Sequence, residues 1–156
     1  MLGEFVDLES VVAFRDLLHR LNCENIDVRS DAPHFSVDFR SSYLMNSKIM
    51  GIDETDLLIL VGANPRLEAP VLNARIRKAQ GVNGLDVAII GSATNLGYEY
   101  VHLGNSAATL KQLAEGSHPY CERLSKAEYP MILVSSAALQ RKDGASIMSY
   151  VNKLGE

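Results

Sequence analysis

Three short segments of the sequence carry residue types that could bind an anion. They are Gly62-Ala63-Asn64-Pro65-Arg66, Gly91-Ser92-Ala93-Thr94-Asn95 and Ser135-Ser136, and each follows a short apolar run. Loops of this kind present backbone N–H groups at the carboxyl ends of parallel strands, where phosphates bind. The first segment adds the Asn64 amide and the Arg66 guanidinium, so a phosphate or nucleotide could sit there. However, neither Gly-x-Gly-x-x-Gly nor the Walker A pattern is present, and such turns use Gly, Asn and Pro for geometry alone.

His118 and Cys121 form a second candidate, because a histidine close to a cysteine could activate a nucleophile. A catalytic cysteine needs a lowered thiol pKa and a base held in a fixed orientation, and closeness along the chain supplies neither. The sequence therefore predicts that His118 caps a helix or packs against one. Cys121 is predicted to be a small core residue.

The acidic residues Asp53, Glu54 and Asp56 could be ligands for a divalent cation. Such cation sites need more oxygen ligands at defined spacing. A solvated acidic turn in front of a buried strand is therefore the prediction for this segment.

The sequence predicts no self-contained metal site. Its two cysteines, Cys23 and Cys121, lie 98 positions apart, whereas an iron–sulfur cluster normally takes four thiolates. Structural zinc needs Cys/His pairs at short spacing, and the histidines are scattered at positions 19, 34, 102 and 118. Two distant cysteines also fit a reducing compartment better than a disulfide-bonded secreted scaffold.

The elements that must position these residues alternate between strand and helix. Short apolar runs predict strands at 57–61, 87–90, 100–103 and 131–134, the last introduced by Pro130. The first run has no polar alternation, which is typical of a strand buried on both faces of a parallel sheet. A weaker pattern predicts a short strand at Ile26-Asp27-Val28, and residues 30–52 are irregular.

Capping residues and apolar spacing predict the helices. These begin at Asp7, Pro70, Asn105 or Ser106, Pro119 and Asp143. The helix from Pro70 is predicted to end at Gln80 with Gly81 as its stop, and residues 57–90 then form a βαβ unit. Arg75, Arg77 and Lys78 could be an interaction patch, but their place near the predicted end of that helix already explains them.

This order predicts a layered α/β domain over residues 1–156, with a mostly parallel sheet and helices on both faces.

The 47% hydrophobic and 22% charged side chains are a normal globular mixture. A net charge of −4 without a basic run argues against nucleic-acid binding. The apolar runs are far shorter than the roughly 20 residues of a membrane span, and residues 1–4 show no leader pattern.

Two long segments resemble a known family. Residues 56–78, DLLILVGANPRLEAPVLNARIRK, are similar to the strand–loop–helix of the molybdopterin-oxidoreductase-like region in the large iron–sulfur subunit of respiratory complex I. Residues 116–119 and 135–145, the latter SSAALQRKDGA, resemble the same subunit in the same order, as do 8–20 and 40–46. The resemblance covers nearly the whole chain, and the mitochondrial form is the closer fit.

The resemblance implies a Rossmann-like, molybdopterin-oxidoreductase-type domain that is a middle segment of a larger subunit. Iron–sulfur clusters are then held elsewhere in the parent, and no catalytic residue, metal or cofactor is expected in this chain. Related molybdenum enzymes hold a pterin dinucleotide on comparable loops, whereas here the fold is implied to be retained without it. The residues that match the family's loop, with a structural role implied, are Gly62, Asn64, Pro65, Arg66 and Glu68.

The implied partners are the rest of the parent subunit and the other subunits of complex I. The implied location is the matrix side of the mitochondrial inner membrane, in a peripheral arm and without membrane insertion. The sheet of such a segment is expected to expose an apolar edge or face.

Other functions stay open from the sequence alone. One is an α/β module or enzyme that binds a nucleotide or pterin dinucleotide at the strand ends. Another is a flavodoxin-like signalling domain, but this would need an acidic pocket after a strand, whereas Asp53, Glu54 and Asp56 precede one.

Overall fold

The computed structural model of the chain describes residues 6–26, 33, 36 and 38–155. The chain divides into two units, residues 1–32 and residues 33–156. In the first unit, helix α1 (Leu8–Arg20) begins as predicted at Asp7, whose carboxylate accepts from the N–H of Ser10 at 3.0 Å. Ile26 is not in a strand, and positions 27 and 28 of the predicted strand lie outside the described residues.

The second unit is built on one parallel sheet. Its strands are β1 (Leu57–Val61), β2 (Asp86–Ile90), β3 (Val101–Gly104) and β4 (Pro130–Val134). Their order across the sheet is β3-β2-β1-β4, and each neighbouring pair is parallel. All four strands are confirmed to within one residue at either end.

Strand β1 lies inside the sheet, and all five of its residues are buried. Its register is regular on both sides, with Val61 opposite Ile90 of β2 and Val134 of β4. A strand covered by neighbours and by both layers has no face left for polar side chains. This explains the uninterrupted apolar sequence of β1.

Helices cover both faces of the sheet, as predicted. In this unit the α-helices are α2 (Pro65–Glu68), α3 (Pro70–Asn83), α4 (Ala107–Ala114), α5 (Cys121–Leu124), α6 (Ser136–Leu139) and α7 (Gly144–Gly155). Two short 3-10 helices, Arg40–Ser42 and Ile49–Asp53, precede β1. Leu58 and Leu60 of β1 share a core cluster with Ile76 of α3, on what we call the α3 face. Ile59 and Val61 share a second cluster with the apolar residues of α4, α6 and α7, on what we call the α7 face.

The predicted end of α3 at Gln80 is wrong. Gly81 lies inside the helix, which continues to Asn83 and ends at Gly84 with φ of +74°. One exposed glycine costs a helix only about 1 kcal/mol, and the side-chain amide of Asn83 anchors the last turn by donating to the Asp53 carbonyl at 2.8 Å. Gly84 ends the helix because its backbone adopts the left-handed conformation.

The remaining helices follow the predicted order. α4 begins after Ser106 and ends before Gly116, whereas α5 begins at Cys121, two residues later than predicted from Pro119. Asp143 precedes α7, but both of its carboxylate oxygens accept from Arg141, at 2.7 and 2.9 Å. Among the helices that the structure describes, none has the length and apolar character needed to cross a bilayer.

Candidate functional site

The three predicted loops lie together at one end of the sheet, because each follows the carboxyl end of a parallel strand. Their first residues extend the ladder: Gly62 N–H donates to the Ile90 carbonyl at 2.8 Å, and Ser135 N–H donates to the Val61 carbonyl at 3.1 Å. The chain leaves β1 toward the α3 face and leaves β4 toward the α7 face. Open α/β sheets form a ligand crevice between two neighbouring strands whose connections diverge in this way. Residues 62–66 and 135–136 line this crevice.

Gly62 is required where it stands. Its φ is +59°, and an added Cβ would lie 2.8 Å from the Cβ of Ala138 in α6. Both the backbone conformation and the close approach exclude a larger residue. The loop after β1 is therefore packed directly against the helix that follows β4.

Pro65 and Arg66 continue this packing. Pro65 is the buried first residue of α2, a position that suits its fixed φ. The Arg66 guanidinium donates from Nη1 to the Asn95 carbonyl at 2.9 Å and so joins the first loop to the second.

Glu68 joins the first loop to the third. Its Oε1 accepts from the backbone N–H of Asn64 at 2.7 Å, and its Oε2 accepts from the Ser135 hydroxyl at 2.7 Å. Ser135 is buried, and its Oγ also accepts from the N–H of Ala137 at 3.2 Å. We call this arrangement of Asn64, Glu68 and Ser135 the carboxylate bridge.

The carboxylate bridge affects whether this crevice could hold a pterin dinucleotide, the group that related molybdenum enzymes bind on comparable loops. A phosphate in this crevice would need free donors, but the Asn64 N–H and the Ser135 hydroxyl both donate to Glu68. A phosphate would also be repelled by the Glu68 carboxylate at hydrogen-bond range. The carboxylate bridge therefore occupies two donors of these loops and disfavours an anionic group beside Glu68.

One polar atom of the loop is unpaired. The side-chain Oδ1 of Asn64 is buried and accepts no hydrogen bond within the part of the chain that the structure describes. An amide oxygen can only accept, so it would pair with an N–H or O–H donor and not with a phosphate.

His118 and Cys121 do not form a nucleophile–base pair. Nδ1 of His118 accepts from the N–H of Tyr120 at 3.1 Å, whereas Sγ of Cys121 donates to the Leu113 carbonyl at 3.6 Å. The imidazole thus satisfies the backbone just before α5, and the half-buried thiol packs against α4. The two groups have different partners.

The acidic residues lie at the opposite end of the sheet from the crevice. Asp53 pairs with Arg75 at 2.9 Å, and Asp56 accepts from the N–H groups of Glu128 and Tyr129 at 2.9 and 3.0 Å. Partial desolvation raises the pKa of Asp56, but these two hydrogen bonds outweigh it and hold the pKa below its usual value. Over residues 6–26, 33, 36 and 38–155, no three metal-ligating side chains come together.

The basic residues of α3 are not at its negative end, because the helix extends to Asn83. The explanation that the sequence offered for Arg75, Arg77 and Lys78 is therefore wrong. Arg75 instead takes its position from the ion pair with Asp53, which ties α3 to the turn before β1.

The sequence did not indicate a groove of about 550 Å³ between β3 and α5. Its charged residues are already paired: Arg123 with Asp86 at 2.6 Å and Lys126 with Glu122 at 2.7 Å. No sequence motif marks this groove, because its two walls come from segments about 20 residues apart whose closeness depends on the strand order.

Comparisons with known proteins agree with the fold. A family model described as molybdopterin oxidoreductase matches residues 1–156. The NADH-ubiquinone oxidoreductase 75 kDa subunit of Reclinomonas americana is 37% identical, over 99% of this chain and 24% of that protein. The mitochondrial NADH dehydrogenase [ubiquinone] iron-sulfur protein 1 of Solanum tuberosum is 35% identical, over 99% of this chain and 21% of that protein.

A third relative is the mitochondrial NADH-ubiquinone oxidoreductase 78 kDa subunit of Neurospora crassa, 38% identical over 97% of this chain and 21% of that protein. The resemblance read from the sequence is confirmed, since these relatives are the large subunits that it named. The chain spans between a fifth and a quarter of their length. On the match of the family model to its whole length, the chain belongs to the molybdopterin oxidoreductase family.

Proposed function

We propose that the chain is a structural, non-catalytic segment of the large iron–sulfur subunit of NADH:ubiquinone oxidoreductase. Residues 1–156 act in this proposal as one part-domain of the subunit. The segment serves electron transport from NADH to ubiquinone by its shape and contacts, while clusters elsewhere in the subunit carry the electrons. The identity of 35–38% to mitochondrial subunits of that enzyme supports this function.

The carboxylate bridge is the observation that carries the non-catalytic part of the proposal. Glu68 takes up the donors of Asn64 and Ser135 that a bound phosphate would need. A crevice of this fold that satisfies its own donors gains little from a ligand, because a ligand would have to replace existing charge-assisted hydrogen bonds. Gly62, Asn64, Pro65, Arg66 and Glu68 accordingly have structural roles in the proposal.

The proposal includes partners and a location. The partners are the rest of the parent subunit and neighbouring subunits of complex I. The location is the matrix side of the mitochondrial inner membrane, within a peripheral arm. Two relatives have names that describe them as mitochondrial, which supports a mitochondrial location for this chain.

The purified chain tests this function directly. We expect no stoichiometric iron by elemental analysis and no oxidation of NADH, because the proposal assigns both to other parts of the enzyme. Iron bound at one equivalent or more, or NADH turnover by this chain alone, would contradict it. In the full-length subunit, Glu68→Ala should lower stability and assembly while the spectroscopic signature of the clusters stays unchanged.

A second function is supported by the unpaired Oδ1 of Asn64. In this alternative, the loop accepts an N–H donor from the base of a nucleotide. A ligand bound only by the folded state raises the free energy of unfolding by RT ln(1 + [L]/Kd). Millimolar guanine or adenine nucleotides would then raise the melting temperature of the chain, and the paired change Asn64→Ala and Arg66→Ala would abolish the rise. An unchanged melting temperature with every nucleotide rejects the alternative.

A further inference from the structure

We infer that the outer edge of β4, which no strand covers in the part of the chain that the structure describes and which we call the open edge, is a pairing surface for one more parallel strand, supplied by polypeptide that follows residue 156 in a longer protein. The inference rests on the proposed function, because that function makes the chain part of a larger subunit. Its evidence comes from the composition of β4, its backbone pattern and the handedness of the fold.

Strand β4 is apolar along its whole length. The strand reads Pro-Met-Ile-Leu-Val and contains no charged residue. Met131 and Leu133 pack against the core of the α3 face, while Ile132 and Val134 pack against the core of the α7 face. A strand that is apolar on both faces is typical of the interior of a parallel sheet, yet β4 is the last on its side among the strands of residues 6–26, 33, 36 and 38–155.

The opposite edge of the sheet is built differently. β3 has four residues, its pairing with β2 shifts register between Ile89 and Ile90, and Val101 and His102 are exposed. Irregular pairing, short length and polar side chains are the means by which proteins keep an edge from pairing further. β4 has a regular register to β1 and five residues, and it has no such protection beyond Pro130 at its start.

The backbone pattern identifies the groups that are free to pair. Ser135 N–H donates to the Val61 carbonyl of β1. Because successive residues of a parallel strand direct their N–H and C=O groups to opposite sides, Ile132 and Val134 direct theirs to the open edge. Pro130 also faces the open edge, so the absence of an N–H on proline costs no hydrogen bond to β1.

The handedness of the fold indicates where the next strand would lie. From β3, the chain crosses the α7 face through α4 and reaches β4. The crossover from β1 through α3 to β2 uses the α3 face and runs across the sheet in the opposite direction. Crossovers between parallel strands are right-handed in about 98% of cases. α7 follows β4 on the same face as α4, so a strand after α7 continues in the direction from β3 to β4. The next position in that direction is the open edge of β4.

Hydrogen exchange of individual amides tests the inference. We expect the amides of Ile132 and Val134 to exchange rapidly in the 156-residue chain and about 100-fold more slowly in the full-length subunit. The amide of Leu133 bonds to β1 and should be protected in both, which makes it the matched control. Equal exchange of Ile132 and Val134 in the two proteins would overturn the inference. Protection in the 156-residue chain that increases with protein concentration would overturn it too, because a second copy would then be the occupant.

A pair of variants gives an independent readout. Ile132→Pro removes core contacts on the α7 face in both proteins, but the N–H that it also removes is bonded only where a further strand pairs with the open edge. Its melting-temperature drop should therefore be larger in the full-length subunit than in the 156-residue chain. Leu133→Pro removes a bond to β1 and should destabilise both. Equal effects of Ile132→Pro on the two proteins would contradict the inference. If the amides of Ile132 and Val134 are protected from exchange in a full-length protein that lacks iron–sulfur clusters, the proposed function is rejected. The strand pairing is still supported by that result.

Discussion

At the scale of single residues, Glu68 connects segments that are far apart in the sequence. Its two oxygens bind the N–H of Asn64, four positions away, and the hydroxyl of Ser135, 67 positions away. Gly62 supports the same contact, since only a residue without Cβ lets the first loop approach α6. The crevice between β1 and β4 is therefore held closed by specific side chains of its own loops.

We expect Glu68→Ala to lower the free energy of unfolding by about 1–3 kcal/mol, because the buried Ser135 hydroxyl and the Asn64 N–H would lose a charged acceptor. Urea denaturation followed by circular dichroism measures this change. The exposed Glu128 has no side-chain hydrogen bond in the described part of the chain, so Glu128→Ala should change stability by less than about 0.5 kcal/mol. Equal effects of the two variants would refute a special role for Glu68.

Acid should weaken the fold partly through Asp56. Its pKa is lowered in the folded chain, so its contribution to stability is fully present above the usual value of 3.8 and is lost as the pH falls through the lower folded pKa. Asp56→Asn should be less stable than the parent chain at pH 7, and the difference should shrink as the pH falls below 4. Unfolding free energies measured from pH 7 to pH 3 test this. A difference that stays constant over that range would show that the carboxylate does not titrate as described.

Sequence reasoning located the loop residues but not their partners. Gly62, Asn64 and Pro65 were recognisable because a turn after a buried strand needs such residues locally. The bond from Glu68 to Ser135 depends on β4 lying beside β1, and no local pattern carries that information. The same limit applies to the contact from Arg66 to Asn95.

At the scale of elements, apolar runs and capping residues were reliable where one local preference dominates. β1 and β4 are confirmed because their uninterrupted apolar sequences have no helical periodicity. The end of α3 was misplaced because two glycines, Gly81 and Gly84, compete for it. The second takes the left-handed conformation, and the bond from Asn83 to Asp53, 30 positions away, favours the longer helix.

The two glycines of α3 should respond oppositely to the same substitution. Gly81→Ala should raise the free energy of unfolding by about 0.5–1 kcal/mol, because the site is helical and has open space around it. Gly84→Ala should lower it by about 1 kcal/mol, because φ is +74° there. Chemical denaturation of both variants provides the measurement. A stabilising Gly84→Ala would show that the helix ends elsewhere.

At the scale of the whole molecule, fold class and family could be predicted from the sequence, whereas strand order could not. The alternation of strands and helices implies an α/β sheet, but several orders of the four strands satisfy it. The observed order brings β1 and β4 together and leaves β4 at an edge. Both the crevice and the inferred pairing surface follow from that order, which is why neither could be specified before the structure.

The carboxylate bridge also has a consequence for biogenesis. A protein whose crevice must receive a phosphorylated organic group completes its structure only after that group has been synthesised and delivered. In the proposed function the negative charge at this place comes from Glu68, which lies in the same stretch of polypeptide as the loop that it fastens. We expect the purified chain to refold after dilution from urea at a rate that added phosphorylated small molecules do not change.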